Sequence, residues 1–293
     1  MARMGDVLAG LHAAWEFDTD SVLIRYERGI RTPRLLQALG ERRIPFAALS
    51  AVDLTPGKRG TVALRLTPRP GADPLTDAAD GQLKESCDPY RLVLPGARET
   101  LAEYYRDELR GVLDPAADQP APEYLVAAPA PPLHFKAYDG KASFDGKTVT
   151  FRWFWTGASS AKWKAGDQTF PVDELEGVEW RSPEALGGHL RLRGRGGSGG
   201  SGGSGGEPAA DQDPASVVFG LGYGLVHESL PFAAAVLEAL RGASPALPAA
   251  SASLRPDPAD IAERIRHLGE LHRTGLLTDE EFSAKKAELL AEL

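Results

Sequence analysis

Histidines, carboxylates, one cysteine and two glycine-rich runs are the residues of this chain that could do chemistry. The histidines are His12, His134, His189, His227, His267 and His272. A zinc site on a helix needs two of them at i, i+4, or a cysteine cluster beside them. Neither pattern occurs, and His267 and His272, five apart, fall on different helix faces, so no metal site is expected. Asp18, Asp20 and Asp145 sit where two strands turn. Paired carboxylates can act as general acid and base, but hydrogen bonding to the local backbone accounts for Asp at turns more cheaply. GLGYG (Gly220 to Gly224) lacks the G-x-G-x-x-G spacing of a dinucleotide loop and reads as a turn between the last strand and a helix. Neither a P-loop nor a G-x-S-x-G elbow is present. Cys87 precedes Asp88-Pro89 with no evident group to activate its thiol. The expectation is a protein with no catalytic residues and no cofactor; a hydrolase-type enzyme with an unrecognised site is the alternative.

Binding chemistry is better represented. The segment RYERGIRTPRLLQALGERR carries Arg25, Arg28, Arg31, Arg34, Arg42 and Arg43 against Glu27 and Glu41, a local excess of positive charge on a chain of net charge −8. Such a cluster suits anionic lipid head groups, each basic residue near a membrane being worth about 1 kcal/mol, or an acidic partner. The competing reading is a solvated basic face balanced by neighbouring acids. Aromatic residues gather further on, at Trp153, Phe154, Trp155, Trp163 and Trp180. Phe154, Trp155 and Trp163 are the candidates for docking a peptide or protein partner, since exposed aromatics beside a strand edge are typical anchors. The competing reading is that they pack inside the protein. RLRGRGG (Arg191 to Gly197) is similar to RNA-binding RGG segments, but it occurs once on an acidic chain, so nucleic acid is the least favoured partner.

These residues must be positioned by elements, and the bulk numbers bound which. With 293 residues the chain has length for about two domains. An apolar fraction of 42% with 25% charged residues fits globular material. An acidic pI near 5.4 disfavours a broad nucleic-acid-binding surface. A lone cysteine makes no intramolecular disulfide, which points to the cytoplasm. No secretory signal or transmembrane run is read from the sequence.

An internal repeat sets the organisation. IPFAALSAVDL from Ile44 matches FPVDELEGVEW from Phe170, 126 positions on (170 − 44). EFDTDSVLIRY aligns with SFDGKTVTFRW, pairing Phe17 with Phe144 and Asp18 with Asp145. LRL at Leu64 meets LRL at Leu190, and DPYRLVL from Asp88 meets DPASVVF from Asp213. The Gly/Ser run of residues 194–206 falls between the second LRL and the second Asp-Pro, so it reads as a loop inside the second copy, tolerated because loop-closure entropy grows slowly with length. The linkers are instead two Pro/Ala-rich stretches. The predicted organisation is copy one at 1–113, a linker at 114–133, copy two at 134–241, a linker at 242–256 and a C-terminal unit at 257–293.

Within a copy the period is two: Val149, Phe151 and Trp153 alternate with Thr150 and Arg152, as Val22, Ile24 and Tyr26 do in copy one. Each copy ends in a helical pattern, RETLAEYYRDELRGVL with Leu101, Tyr104, Tyr105, Leu109 and Val112 at helical spacing, and LPFAAAVLEAL. The order of short strands and one closing helix is similar to the pleckstrin-homology-like (PH-like) fold. The paired I/F-Pro, LRL and Asp-Pro elements resemble a bacterial family of tandem domains of unknown function. The resemblance implies an α+β fold of two tandem PH-like bent antiparallel sheets or barrels, each closed by a C-terminal helix. One departure touches lipid binding: the turn between the first two strands, basic in lipid-binding PH modules, is the acidic FDTD here.

The last segment, DIAERIRHLGELHRTGLLTDEEFSAKKAELL, resembles the bacterial short C-terminal domain, SHOCT. Gly275 suits a helix stop, and Thr278 with Glu281 forms a capping box. A helical hairpin follows, with apolar stripes from Ile261, Ile265, Leu268, Leu271, Leu277, Phe282, Leu289 and Leu290. A unit this short falls below the ~40 residues usual for independent folding, so it must associate with another copy, a partner or the rest of the chain. The sequence reading is a non-enzymatic cytoplasmic binding or scaffolding protein. Its two modules would bind a protein, a peptide or an anionic surface peripheral to the membrane.

Overall fold

A duplication predicts that the same elements recur at a constant offset, and in the computed structural model they do. The structure describes residues 6–114, 118–195 and 208–243. Copy one runs β1 (Asp6–Ala9), β2 (Ala13–Phe17), β3 (Ser21–Tyr26), α1 (Arg34–Leu39), β4 (Glu41–Pro45), β5 (Leu49–Pro56), β6 (Thr61–Pro68), α2 (Pro74–Ala79), β7 (Arg91–Pro95) and α3 (Glu99–Val112). Copy two runs β8 (Leu133–Lys136), β9 (Gly140–Phe144), β10 (Thr148–Trp153), α4 (Ser160–Ala165), β11 (Gln168–Pro171), β12 (Leu175–Arg181), β13 (His189–Gly194), β14 (Ser216–Val218) and α5 (Val226–Ala243). Small devices recur as well. Gly40 ends α1 and Gly166 ends α4, at φ +66° and +70°, a left-handed stop that other residues resist. A bulge interrupts the start of β5 and of β12 at matching positions.

The expected barrels are not closed. In each copy the strands divide into two separate open antiparallel sheets, β1-β2-β3-β4 with β5-β6-β7, and β8-β9-β10-β11 with β12-β13-β14. The break has a local cause. After Pro45 the chain enters a 3-10 turn at Phe46–Ala48, and after Pro171 another at Val172–Glu174. These turns carry the chain out of one ladder before it starts the next, so β4 and β5 are not hydrogen-bonded partners. On the far side of copy one an isolated bridge, Leu11 to Val93, links the turn before β2 to β7. The two sheets of copy one nevertheless share a core, in which Trp15, Ile24 and Ile44 of the first meet Leu64, Leu92 and Leu94 of the second.

The Gly/Ser run joins neighbouring strands of copy two, because β13 and β14 on either side of it pair directly, Leu190 opposite Val217. The corresponding connection of copy one has a different use. Its Asp73 accepts a hydrogen bond from the Leu75 N–H, with Pro74 in the first turn, and so starts α2. That helix buries Leu75, Ala78 and Ala79 in the core of copy two, together with Leu35 of α1. Consequently α5 is covered by its own copy and by copy one, and Leu230, Phe232, Ala233, Ala234, Ala235 and Val236 are all buried. A helix apolar on every side requires such surroundings. Its counterpart α3 lies against one copy only: Ala102, Tyr105 and Leu109 are buried while Leu101, Tyr104 and Val112 face outward.

The Pro/Ala-rich stretch between the copies is packed in its described part. Ala121 and Val126 are buried, and their N–H groups donate to the carbonyls of Pro70 and Ala72. Arg241 of α5 stacks on Tyr124, 4.4 Å from the ring centre, and donates to the Gly71 carbonyl at 2.6 Å. The described residues thus lie within one compact unit. No described helix is long and apolar enough to cross a membrane. The segment read as a hairpin, residues 257–293, lies outside the described residues.

Candidate functional site

The aromatic face of copy two starts from a buried ion pair. Ser159 caps α4 by accepting the Lys162 N–H, and Gly166 closes it. This short helix turns Lys162 inward, where its Nζ meets Asp139 Oδ2 at 2.5 Å with both side chains buried. The other carboxylate oxygen accepts the Val218 N–H at 3.0 Å, and the ammonium lies 5.0 Å from the Trp153 ring centre, a favourable cation–π placement. Burial pushes the Lys162 ammonium below the ordinary lysine value, against the opposing pull of Asp139. One pair thereby fixes the β8–β9 turn, β14 and α4 together.

Exposed aromatics neighbour both members of this pair in the chain. Trp163 follows Lys162 on α4 and meets Trp155 edge to face, with ring centres 5.3 Å apart. Trp155 lies on the turn after β10, where the Phe154 N–H donates to the Asp139 carbonyl. At Gly157 of the same turn a Cβ would lie 2.2 Å from the Tyr138 carbonyl oxygen, so only glycine lets the turn approach. Tyr138 in turn meets Tyr223 at 6.3 Å. The exposures are 80% for Trp155, 51% for Trp163, 52% for Tyr138 and 41% for Tyr223. Isolated exposed apolar residues are ordinary, but grouped aromatics on a fixed backbone are the composition of a docking surface. Of the sequence-based candidates, Trp155 and Trp163 are brought together here and Phe154 is half-buried beside them. Trp153 and Trp180 are in the core.

Tyr138, Tyr223 and the Asp139–Lys162 pair are not among those candidates. Tyr223 carried a readable signal, since a tyrosine flanked by glycines in GLGYG has no local packing to cover it. The ion pair carried none, because its members are separated by the β9 and β10 strands.

The basic segment of copy one does not form one surface. Strand β4 has the alternation expected of a half-buried strand, which places Arg42 with Ile44 on the inner side. Arg42 is buried and pairs with buried Asp73 through two hydrogen bonds, at 2.6 and 3.2 Å. Asp73 also accepts from Thr76 Oγ1 and from the Tyr90 hydroxyl, at 2.7 and 2.8 Å. Burial opposes the ionised form of Asp73, but the Arg42 guanidinium and these donors outweigh it and hold the carboxyl below its ordinary value. Arg25 is paired with Glu16 and Glu41, and Arg43 with Asp18. Arg28, Arg31 and Arg34 are exposed and show no ion pair or hydrogen bond among the described residues. The cluster seen in the sequence therefore reduces to three arginines.

Among the described residues no group of three or more His, Cys, Asp or Glu side chains could hold a metal ion. His189 is buried, bonded to the Gly187 carbonyl, and His12 faces Thr32 at 3.3 Å. His267, His272 and the association candidates Ile261, Ile265, Leu268, Leu271, Leu277, Phe282, Leu289 and Leu290 lie outside the described residues.

Comparison with known proteins agrees with the duplication. The family model of a domain of unknown function, DUF4429, matches twice, over residues 15–110 and 142–237. The short C-terminal domain model, SHOCT, matches residues 263–290. A search of curated proteins finds no match.

Proposed function

The chain belongs to the DUF4429 family, in two tandem copies followed by a SHOCT domain, and on that premise we propose that it is a non-enzymatic cytoplasmic binding protein. Copy two docks a protein partner on the face made by Tyr138, Trp155, Trp163 and Tyr223, while copy one serves as its brace. The observation that carries this reading is the exposed edge-to-face Trp155–Trp163 pair, held on a backbone that the buried Asp139–Lys162 pair fixes. Rigid aromatics lose little conformational freedom on binding, which is why they dominate interface energetics. Copy one has Glu27 and Arg28 where copy two has Phe154 and Trp155, so the docking face belongs to one copy.

The experiment places a photoreactive residue at Tyr138 of the full chain and identifies crosslinked protein in cells. Trp155→Ala/Trp163→Ala should abolish that adduct and weaken the isolated complex by at least about thirtyfold, the equivalent of one interfacial tryptophan. It should shift stability by less than about 1 kcal/mol, both side chains being exposed. An adduct of unchanged yield in the double variant removes the reading.

Association through the C-terminal domain is the second part of the proposal, carried by the SHOCT match and the apolar positions Ile265, Leu268 and Phe282. Leu268→Asp should lower the sedimenting mass or the recovery of partner. If both are unaltered, the domain does not associate through that face.

A further inference from the structure

A cleft of about 540 Å³ opens between the two copies, within the range of small-molecule sites. Copy one contributes Leu35 and Leu83 to its walls, and copy two contributes Leu225 and Val226. Most polar groups in it are already engaged within the protein. Gln82 donates to the Trp180 carbonyl and accepts the Ser182 N–H, both at 2.9 Å. The Ser182 hydroxyl accepts the Glu184 N–H, and Lys84 pairs with Glu184 at 2.9 Å. Arg34 differs: it lines the cleft, and its guanidinium has no hydrogen bond or ion pair among the described residues. The charged form of His227 is disfavoured, because burial pushes its imidazole below the ordinary value; Glu228 pulls it back up and Arg34 presses it further down.

We propose that this cleft binds a small amphipathic carboxylate, with its aliphatic chain between the leucine and valine side chains of the two copies and its carboxylate on Arg34. Charge complementarity selects the anion, since a guanidinium is a planar donor matched to a carboxylate. The engaged state of Gln82, Ser182 and Lys84 selects an aliphatic chain over a peptide. A peptide would bring backbone N–H and C=O groups into the cleft, where the Gln82, Ser182 and Lys84 side chains are already engaged, at a cost for each group left unsatisfied. The site requires both copies, with α1 and the loop after α2 of copy one facing the start of α5 of copy two. The inference rests on the cleft alone and is independent of the aromatic face.

Titration calorimetry of the full chain with octanoate, decanoate and dodecanoate, each below its micelle concentration, tests it. Affinity should rise about fourfold per added methylene, and dodecanol should bind at least about tenfold more weakly than dodecanoate. Arg34→Gln should weaken dodecanoate binding by about tenfold or more. Arg34 is exposed, so this variant keeps the fold, which its unchanged melting temperature would verify. Arg28→Gln/Arg31→Gln should bind dodecanoate as the wild type does. No saturable binding, equal affinity for dodecanol, or an equal loss in the Arg28/Arg31 variant would overturn the proposal. So would tighter binding of an apolar tetrapeptide with a free C-terminus, which would assign the cleft to peptides.

Discussion

Asp73→Ala lowers the unfolding free energy by about 3–5 kcal/mol, the usual cost of leaving one member of a buried ion pair without its partner. The size follows from what Asp73 does. It balances the buried Arg42 guanidinium, accepts from Thr76 and Tyr90, and starts α2. Without it Arg42 keeps its charge in an apolar setting, and the helix that copy one inserts into the core of copy two loses its cap. Chemical denaturation of the variant beside the wild type measures the loss. A change below about 1 kcal/mol would show that Arg42 finds water or another acceptor. The variant Arg42→Met/Asp73→Leu separates charge from packing, because replacing both partners by apolar groups is often neutral or better.

Acid stability should report the same pair. The Asp73 carboxyl titrates below its unfolded value of about 3.9. With the folded value depressed, the unfolded state binds the proton more readily, so this contribution is fully present above that unfolded value. It is lost as pH falls through the folded one. The wild type should therefore lose more stability than Arg42→Met/Asp73→Leu on acidification through this window. Parallel pH profiles would contradict the assignment.

The second large effect is expected at Lys162. Lys162→Met keeps most of the stem volume but leaves the Asp139 carboxylate buried without its counter-ion, at a cost of about 3–5 kcal/mol. The loss is not spread evenly. Asp139 holds the Val218 N–H and its own backbone holds Phe154, so α4 and the turn carrying Trp155 should loosen first. Hydrogen exchange should show lost protection around residues 154–166 and 216–218 while the β2–β3 ladder of copy one stays protected. Partner crosslinking at the aromatic face should fall with it. Uniform loss of protection would mean that the pair serves global stability and does not specifically position the tryptophans. Asp139→Asn in the Lys162→Met background should recover part of the stability by removing the stranded charge.

The two pairs have related duties in unlike positions. Arg42 stands on β4 and Lys162 on α4, which are not equivalent in the repeat, although each cation anchors a connection that differs between the copies. In copy one that connection is α2, which braces copy two. In copy two it is the turn that presents Trp155. Divergence between the copies is thus concentrated in buried charge and in loops, while the strand frame is retained.

Particular residues show where sequence reasoning reached and where it stopped. Pairing Phe17 with Phe144 and Leu64 with Leu190 located equivalent strand positions, because a duplicated fold repeats the same local requirements for apolar alternation and tight turns. The same comparison placed the Gly/Ser run inside copy two, as the pairing of β13 with β14 requires. The strands do not close into barrels, and the pattern could not decide this, since alternation marks which face of a strand is apolar and says nothing about which edges bond. The turns after Pro45 and Pro171 decided that. Arg42 looked like a member of a basic surface because charge was summed along the segment, whereas its position on β4 with Ile44 placed it inside.

By itself the sequence determined the duplication, the strand character of each copy, the closing helices and the two family memberships. All of these are encoded within short windows of chain or in the comparison of one window with another. The tertiary structure alone decided that α2 and α1 of copy one enter the core of copy two, that Arg42 and Lys162 are buried against Asp73 and Asp139, and that a cleft lies between the copies. Those features depend on contacts between residues far apart in the chain, whose energies come from mutual burial and have no periodic signature along the sequence.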